Sequence, residues 1–203
     1  MTLLAVSCAV AQLACARDLQ LPPALEESAV AVITEGDAER GFTTRLDASD
    51  REGWVYFDFE SGERLTPNDA GADADWELAF QRFHILSNGG VSGPGGVAVA
   101  PLAGARLADV TSAPADGYVA DQPDSGADDD DVAESAFSDG DGWYAYDENT
   151  NRLSPRDIVY VVRTASGAHY ELQMLGYYSS AGSSGHPSFT WAQLPAPSST
   201  PAP

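Results

Sequence analysis

The chemically distinctive side chains of this chain are three histidines and one internal methionine, Met174. Imidazole and thioether groups bind transition metals, so the surrounding sequence decides whether they serve as ligands. His84 follows a predicted strand bulge, and His186 lies in a Ser-Gly-His-Pro loop before the last predicted strand. Both are candidate metal ligands, with a structural or surface role as the alternative. For Met174 we expect core packing, and for His169 an exposed position on the polar face of its strand.

A second candidate site is the acidic stretch that begins at DQPDSGADDDDVAE, residues 121–134, and continues in DGDG, residues 139–142. Calcium takes about six to eight oxygen ligands in flexible geometry. The candidate ligands are therefore the carboxylates Asp128, Asp130, Asp139 and Asp141. Their spacing does not fit an EF-hand loop. A solvated acidic loop without calcium is the alternative.

The sequence gives no support for an enzyme. It contains neither a Gly-x-Ser-x-Gly elbow nor a His-Glu-x-x-His motif. Both cysteines, Cys8 and Cys15, lie near the start of the chain, so the remainder has no catalytic thiol and no thiolate zinc site. We therefore expect a protein without catalytic activity.

The charge of the chain restricts its partners. The 203 residues carry a formal net charge of -21 at pH 7. Such a surface repels phosphate backbones and anionic lipid headgroups, which excludes nucleic acid as a partner and disfavours direct membrane binding. The hydrophobic fraction of 43% is enough for a single core.

The first residues, MTLLAVSCAVAQLACA, are uncharged and apolar, like the central region of a secretory signal. The sequences before Cys8 and Cys15 each resemble the box at which bacterial lipoproteins are cleaved and acylated. We expect export and a lipid anchor on one of these two cysteines, at the outer membrane or cell surface; a leader that is simply removed is the alternative. The predicted organisation is a leader (1–20), a tether with an early strand at 28–34 (21–50), a β domain (51–194) and a disordered tail (195–203).

Alternating apolar residues and frequent turn residues predict an all-β domain of antiparallel sheets with long acidic and Gly-rich loops. Between Trp76 and Ile85 the apolar phase shifts by one residue, which predicts a bulge near Gln81 and Arg82. Asn88-Gly-Gly then predicts a hairpin turn. Further strands are predicted over residues 54–59, 158–162 and 169–178 and around 189–191, with 158–162 as a central strand.

One phrase occurs twice, as GWVYFDFESGERLTP over residues 53–67 and as GWYAYDENTNRLSP over residues 142–155. Each copy predicts a strand, a polar turn and a short second strand, with the tryptophan in the core and the proline directing the exit of the chain. Two equivalent structural corners are the first interpretation. A repeated binding element is the alternative.

The order of these motifs resembles the HmuY family of bacterial lipoproteins. The resemblance rests on GWVYF, on WELAF running into Asn88-Gly-Gly, and on GWYAYD, LSP, VYVVR and YELQMLGYY, within residues 54–191. It implies an exported, lipid-anchored, mainly β protein. The founding members bind haem through two axial side chains and pass it to a TonB-dependent outer-membrane receptor.

Under this resemblance the axial candidates in this chain are His84, His186 and Met174. A histidine expected in related sequences near Asn151 is absent here. The alternative function is a surface interaction domain that keeps the fold without haem ligands, with calcium as a stabilising ion.

Overall fold

The computed structural model describes residues 32–126, 130–140 and 142–197, and it confirms the all-β class. The described residues contain one 3-10 turn, Leu107–Asp109, and twelve strands: β1 (Val32–Asp37), β2 (Gly41–Leu46), β3 (Val55–Asp58), β4 (Glu63–Leu65), β5 (Leu78–Gln81), β6 (His84–Ser87), β7 (Ala98–Ala103), β8 (Tyr144–Asp147), β9 (Arg152–Pro155), β10 (Ile158–Arg163), β11 (His169–Tyr178) and β12 (Ser184–Leu194). No helix in these described ranges has the length and apolarity of a membrane span.

The strands in the described residues form three antiparallel sheets. A six-stranded sheet has the order β1-β2-β12-β11-β10-β7, and a four-stranded sheet has the order β4-β3-β5-β6. The hairpin β8–β9 forms a separate two-stranded sheet. Because consecutive strands pair mostly with each other, hairpin connections account for much of the topology.

The main core lies between the six-stranded and the four-stranded sheets. Phe57 and Phe80 of the smaller sheet contact Phe189 of β12, with ring centroids 5.4 and 5.5 Å apart. Burial alternates along β12, as expected for a strand that faces the core with every second side chain. A smaller cluster around Val161 lies on the opposite face of the six-stranded sheet, so β10 is buried on both faces, as predicted for a central strand.

The predicted exposure of His169 is wrong. Tyr170, Leu172 and Met174 are buried on one face of β11, as the alternation predicts, but His169 on the other face is only 7% exposed. Its ring centroid lies 5.9 Å from that of Tyr118. The segment that carries Tyr118 covers this face of β11. Tyr118 is far from His169 in the sequence, so the local pattern around His169 could not predict this contact.

The predicted bulge at Gln81 and Arg82 is a hairpin turn. Gln81 pairs with His84 across Arg82 and Phe83, and Arg82 has a φ of 53°. Residues paired across a two-residue turn are three positions apart, which is an odd number. The apolar alternation therefore shifts by one residue at such a turn, as it does at a bulge.

The predicted hairpin at Asn88-Gly-Gly is also wrong, because the chain leaves β6 for the other sheet. Asn88 is fully buried, and its side-chain amide donates to the carbonyls of Asp73 and Trp76 at 3.0 and 2.8 Å. Its side-chain oxygen accepts the N–H of Gly95 at 2.9 Å. Asn88 therefore holds a loop together from the inside instead of occupying a tight turn.

The predicted tether, residues 21–50, includes the hairpin β1–β2, which pairs with β12 in the six-stranded sheet. Phe42 stacks on Trp191 with ring centroids 4.5 Å apart, and Trp191 Nε1 donates to Thr44 Oγ1 at 2.9 Å. Residues 32–46 thus pack as part of the domain. Residues 1–31, with Cys8, Cys15 and most of the predicted early strand, lie outside the described residues, as do residues 198–203 of the predicted tail.

Both copies of the repeated phrase form a β-hairpin with a four-residue loop, β3–β4 and β8–β9. In each, the aspartate that ends the first strand, Asp58 or Asp147, accepts the N–H of the residue two positions later, at 2.8 and 2.9 Å. Trp143 is 1% exposed and belongs to the core, as predicted. Trp54 is half-buried and lines a surface cavity instead.

Candidate functional site

A cavity of about 330 Å³ lies where the start of β6 meets the hairpin β8–β9 and the acidic segment. We call it the His84 cavity. Its aromatic walls are Phe83, Phe137, Trp143, Tyr144 and Tyr146, and its polar walls include His84, Asp130 and Arg156. A concave site that combines aromatic rings with a small set of polar side chains can bind small molecules.

His84 is placed in the cavity wall by the tight turn before β6. The imidazole lies against Phe83, with ring centroids 4.1 Å apart, and its side chain is 17% exposed. Trp143 Nε1 donates to the Phe83 carbonyl at 2.8 Å and ties this turn to the core. His84 Nδ1 lies 3.5 Å from Asp130 Oδ2. The imidazole is thus held on one side by an aromatic ring and on another by a carboxylate.

The hairpin β8–β9 forms the outer wall. Tyr146 is 53% exposed and donates its hydroxyl to Asn151 Oδ1 at 2.7 Å. Asn151 has a φ of 52°, a left-handed conformation that asparagine tolerates better than most residues. The Arg152 guanidinium lies 3.9 Å from the centre of the Tyr178 ring. These contacts hold the hairpin β8–β9 in place.

Arg156 supplies a cationic group to the cavity wall. Its Nε donates to the Tyr144 carbonyl at 2.9 Å, and its backbone N–H donates to the Trp143 carbonyl at 2.8 Å. Arg156 also lines a neighbouring cavity of about 610 Å³, and the buried Tyr160 forms another part of that cavity's wall. Arg156 thus adds positive charge to the walls of both cavities.

The structure does not bring the predicted axial ligands into one cavity. His186 lies outside the His84 cavity, and its Nδ1 is 3.7 Å from Asp47 Oδ1. A hydrogen bond from the Ser49 hydroxyl is the main cause of the lowered pKa of Asp47, and His186 adds a smaller effect. Met174 is 4% exposed in the main core, opposite Phe189. Burial lowers the pKa of His169, which also lies outside the cavity.

The four predicted calcium ligands are only partly described. Asp128 and Asp141 lie outside the described residues. Asp130 faces His84, and Asp139 lies in an exposed turn. Within the described ranges no three His, Cys, Asp or Glu side chains are placed to hold a metal ion. Calcium therefore gains no support from the structure.

The comparison with known families decides what kind of domain carries this cavity. The family model described as HmuY protein matches residues 50–191. The chain belongs to the HmuY family. No curated protein matches this HmuY-family chain.

Solved structures share the fold of this HmuY-family chain. An apo HmuY analogue of Tannerella forsythia has a TM-score of 0.57 at 18% identity and covers 81% of this chain and 97% of its own. A Bacteroides fragilis protein assigned as a lipoprotein has a TM-score of 0.56 at 20% identity, covering 79% and 95%. A Bacteroides vulgatus protein assigned as HmuY-like and haem-binding has a TM-score of 0.57 at 17% identity, covering 80% and 97%.

Several cavity residues of this HmuY-family chain were not singled out by its sequence. Phe83, Tyr146 and Arg156 gave no individual signal, and Asp130 was considered only as a calcium ligand. The one available signal was the repeated phrase, because its second copy supplies Tyr144 and Tyr146 to the cavity. Its first copy supplies Trp54 and Tyr56 to another cavity, of about 370 Å³, on the four-stranded sheet.

Proposed function

We propose that this chain is an exported haem-binding protein and that haem binds in the His84 cavity. The observation that carries the proposal is the placement of His84, a partly buried imidazole in the wall of a cavity that also has five aromatic side chains. Haem iron is commonly held by an axial imidazole. The family relationship supports the same ligand, because a structure with the same fold is assigned as haem-binding.

The residues of the cavity fit the chemistry of haem. The macrocycle is flat and apolar, and Phe83, Tyr144 and Tyr146 offer ring surfaces to such a ligand. Its two propionates are anionic, and among the described residues of this wall Arg156 contributes positive charge. The volume of about 330 Å³ lies at the lower end of the range for small-molecule sites, about 300 to 1,000 Å³. We therefore expect haem to remain partly exposed beside Tyr146.

His84 is the axial ligand that this site supplies. We assign the second axial position of the iron to neither His186 nor Met174, because neither residue lines the cavity. Met174 lies inside the core, where reaching iron would require the sheets to separate. Delivery of haem to a TonB-dependent receptor would make the protein a carrier instead of an enzyme, and this part of the proposal rests on the family relationship alone.

A haem titration followed by visible spectroscopy tests the proposal. We expect a saturable Soret shift at one haem per chain for a protein beginning near Arg17. His84→Ala should weaken binding at least tenfold through loss of the iron ligand, whereas His186→Ala should bind like the wild type. An unrelated acidic protein serves as the control for adventitious haem.

A second candidate function is a surface interaction domain without haem. The separation of the predicted ligands favours it, as does Tyr146, which is 53% exposed. The same titration distinguishes the two functions. A wild-type Soret shift no larger than that of the unrelated acidic protein would reject haem binding and leave the interaction domain.

A further inference from the structure

A second cavity, of about 370 Å³, lies on the outer face of the four-stranded sheet, and the proposed function does not use it. We call it the Trp54 cavity. Val55 and Phe57 are buried in the main core, so the alternation along this strand turns Trp54 and Tyr56 toward the opposite face, where both line the cavity. Ala79 of β5 pairs with Tyr56 and also lines the cavity, and its small side chain leaves space beside the aromatic rings.

The aromatic wall of the Trp54 cavity is held in place by a third ring. The rings of Tyr56 and Trp76 meet edge to face, with centroids 5.1 Å apart and planes at 65°. Trp76 Nε1 donates to the carbonyl of Ala70 at 3.1 Å, which ties the indole to a loop that also lines the cavity. Trp76 is only 2% exposed, so it supports Tyr56, while the half-buried Tyr56 and Trp54 offer the accessible ring surface. A wall fixed in advance lowers the ordering cost of binding a ligand.

The charge of the Trp54 cavity differs from that of the His84 cavity. Three residues line both cavities, Leu86, Val132 and Ala133. Arg156 lines the His84 cavity and not the Trp54 cavity. Among the described residues, the wall of the Trp54 cavity contains neither arginine nor histidine, and the whole chain contains no lysine. The carboxylate of Asp131 is in this wall. The charge of the wall therefore disfavours anionic ligands and favours a cation.

We propose that the Trp54 cavity binds a small organic cation that carries a methylated ammonium group. The electron-rich faces of tryptophan and tyrosine rings attract such a cation, and its methyl groups gain from contact with the same rings. Asp131 supplies the opposite charge, and the side-chain amide of Gln81 offers a donor and an acceptor to a polar substituent. The net charge of -21 attracts cations to the surface. The proposal does not rest on haem binding in the His84 cavity.

The first experiment compares a cation with an uncharged molecule of the same shape. Choline is titrated into the protein, and the backbone and indole N–H signals are followed in ¹H–¹⁵N correlation spectra. Dimethylbutanol, in which a carbon atom replaces the ammonium nitrogen of choline, is the matched control, and methyl glucoside tests for a sugar. We expect saturable shifts at the indole N–H of Trp54 with choline, about fivefold or more weaker binding of dimethylbutanol, and no saturable shift with methyl glucoside.

The second experiment assigns the binding to this wall. Trp54→Leu keeps an apolar side chain but removes the ring, so it should weaken choline binding about 5- to 30-fold and change dimethylbutanol binding little. Asp131→Asn should weaken choline binding about two- to fivefold, because Asp131 is exposed and its charge is screened. Asparagine also tolerates the left-handed backbone at this position, where φ is 55°. Tyr146→Ala removes an exposed ring of the His84 cavity and should leave choline binding unchanged.

The outcomes are independent of haem. Equal affinity for choline and dimethylbutanol would make the cavity an apolar site and overturn the cation site, as would binding of methyl glucoside in place of choline. Choline binding that is unchanged in Trp54→Leu would also overturn it, because the cation would then bind elsewhere. Choline binding that is lost as expected in Trp54→Leu sustains the cation site, whether or not the same protein gives a Soret shift with haem.

Discussion

At the scale of single residues, Glu77 is the most unusual group in the core. It is 8% exposed, and its Oε2 accepts the N–H of Phe59 at 2.9 Å. Burial raises the pKa of Glu77 to about 8, and the nearby carboxylates of Asp58 and Glu60 add to this, while the Phe59 N–H opposes it. Glu77 is therefore largely protonated in the folded protein at neutral pH.

This raised pKa makes stability fall as pH rises. In the unfolded chain the Glu77 carboxyl titrates near the ordinary glutamate pKa of 4.5. Between about pH 4.5 and pH 8 the folded state binds more protons than the unfolded state, so the free energy of unfolding decreases with pH over this window. Glu171 acts in the same direction, because burial raises its pKa to about 7.

We predict that Glu77→Gln reduces this pH dependence. The amide keeps an oxygen for the Phe59 N–H and cannot ionise, so the variant should be more stable than the wild type at pH 8.5 and similar at pH 4.5. Urea unfolding at several pH values measures the effect. Glu39→Gln, in an exposed turn, is the control. Equal slopes for Glu77→Gln and the wild type between pH 5 and pH 8.5 would contradict the burial argument.

At the scale of elements, the connection from β6 to β7 depends on close backbone contacts. Gly90 has a φ of 62°, and a Cβ added there would overlap the carbonyl oxygen of Asp121. Gly96, in the same connection, has a φ of 67° but open space around its Cβ position. The two glycines thus share a left-handed conformation and differ in steric surroundings.

We predict that Gly90→Ala destabilises the protein more than Gly96→Ala. Gly96→Ala should lower the free energy of unfolding by about 1 kcal/mol, the usual cost of a left-handed conformation for alanine. Gly90→Ala should lower it by more than about 2 kcal/mol, because backbone atoms must also move. Urea denaturation followed by circular dichroism compares the two. Similar losses in both variants would show that the approach of Gly90 to Asp121 is not tight.

At the scale of the whole molecule, the net charge and the expected lipid anchor have opposite effects on membrane binding. A net charge of -21 repels anionic membranes, so the chain itself has little affinity for them. An acyl group contributes about 0.8 kcal/mol for each buried methylene and can overcome this repulsion. Membrane attachment should therefore depend on acylation at Cys8 or Cys15.

We predict that the full chain, expressed in a bacterium that processes lipoproteins, enters the detergent phase on Triton X-114 separation. Replacing the acylated cysteine with serine should move the protein to the aqueous phase. Replacing the other cysteine with serine should have no effect. Incorporation of labelled palmitate identifies the acylated position. A wild-type protein found in the aqueous phase would contradict the lipid anchor expected from the sequence.

The sequence alone determined the β class, the strands β10 and β11, the centre of β12 and the two hairpins of the repeated phrase. The Ser-Gly-His-Pro stretch with His186, predicted as a loop, is instead the start of β12 (Ser184–Leu194). The features predicted correctly depend on local alternation and on turn residues such as Asp58 and Asp147, which act on their own neighbours. The same local signals suggested the family through the order of its motifs.

Tertiary structure decided the features that depend on contacts between distant residues. The phase shift at Arg82 is compatible with a bulge or a hairpin, and only the pairing of Gln81 with His84 separates them. Similarly, the burial of His169 depends on the segment that carries Tyr118. The cavity joins His84 to Asp130 and Arg156, which lie far along the chain and carry no local pattern. Alternation predicts which side chains share a face of a strand, but the rest of the fold determines what covers that face.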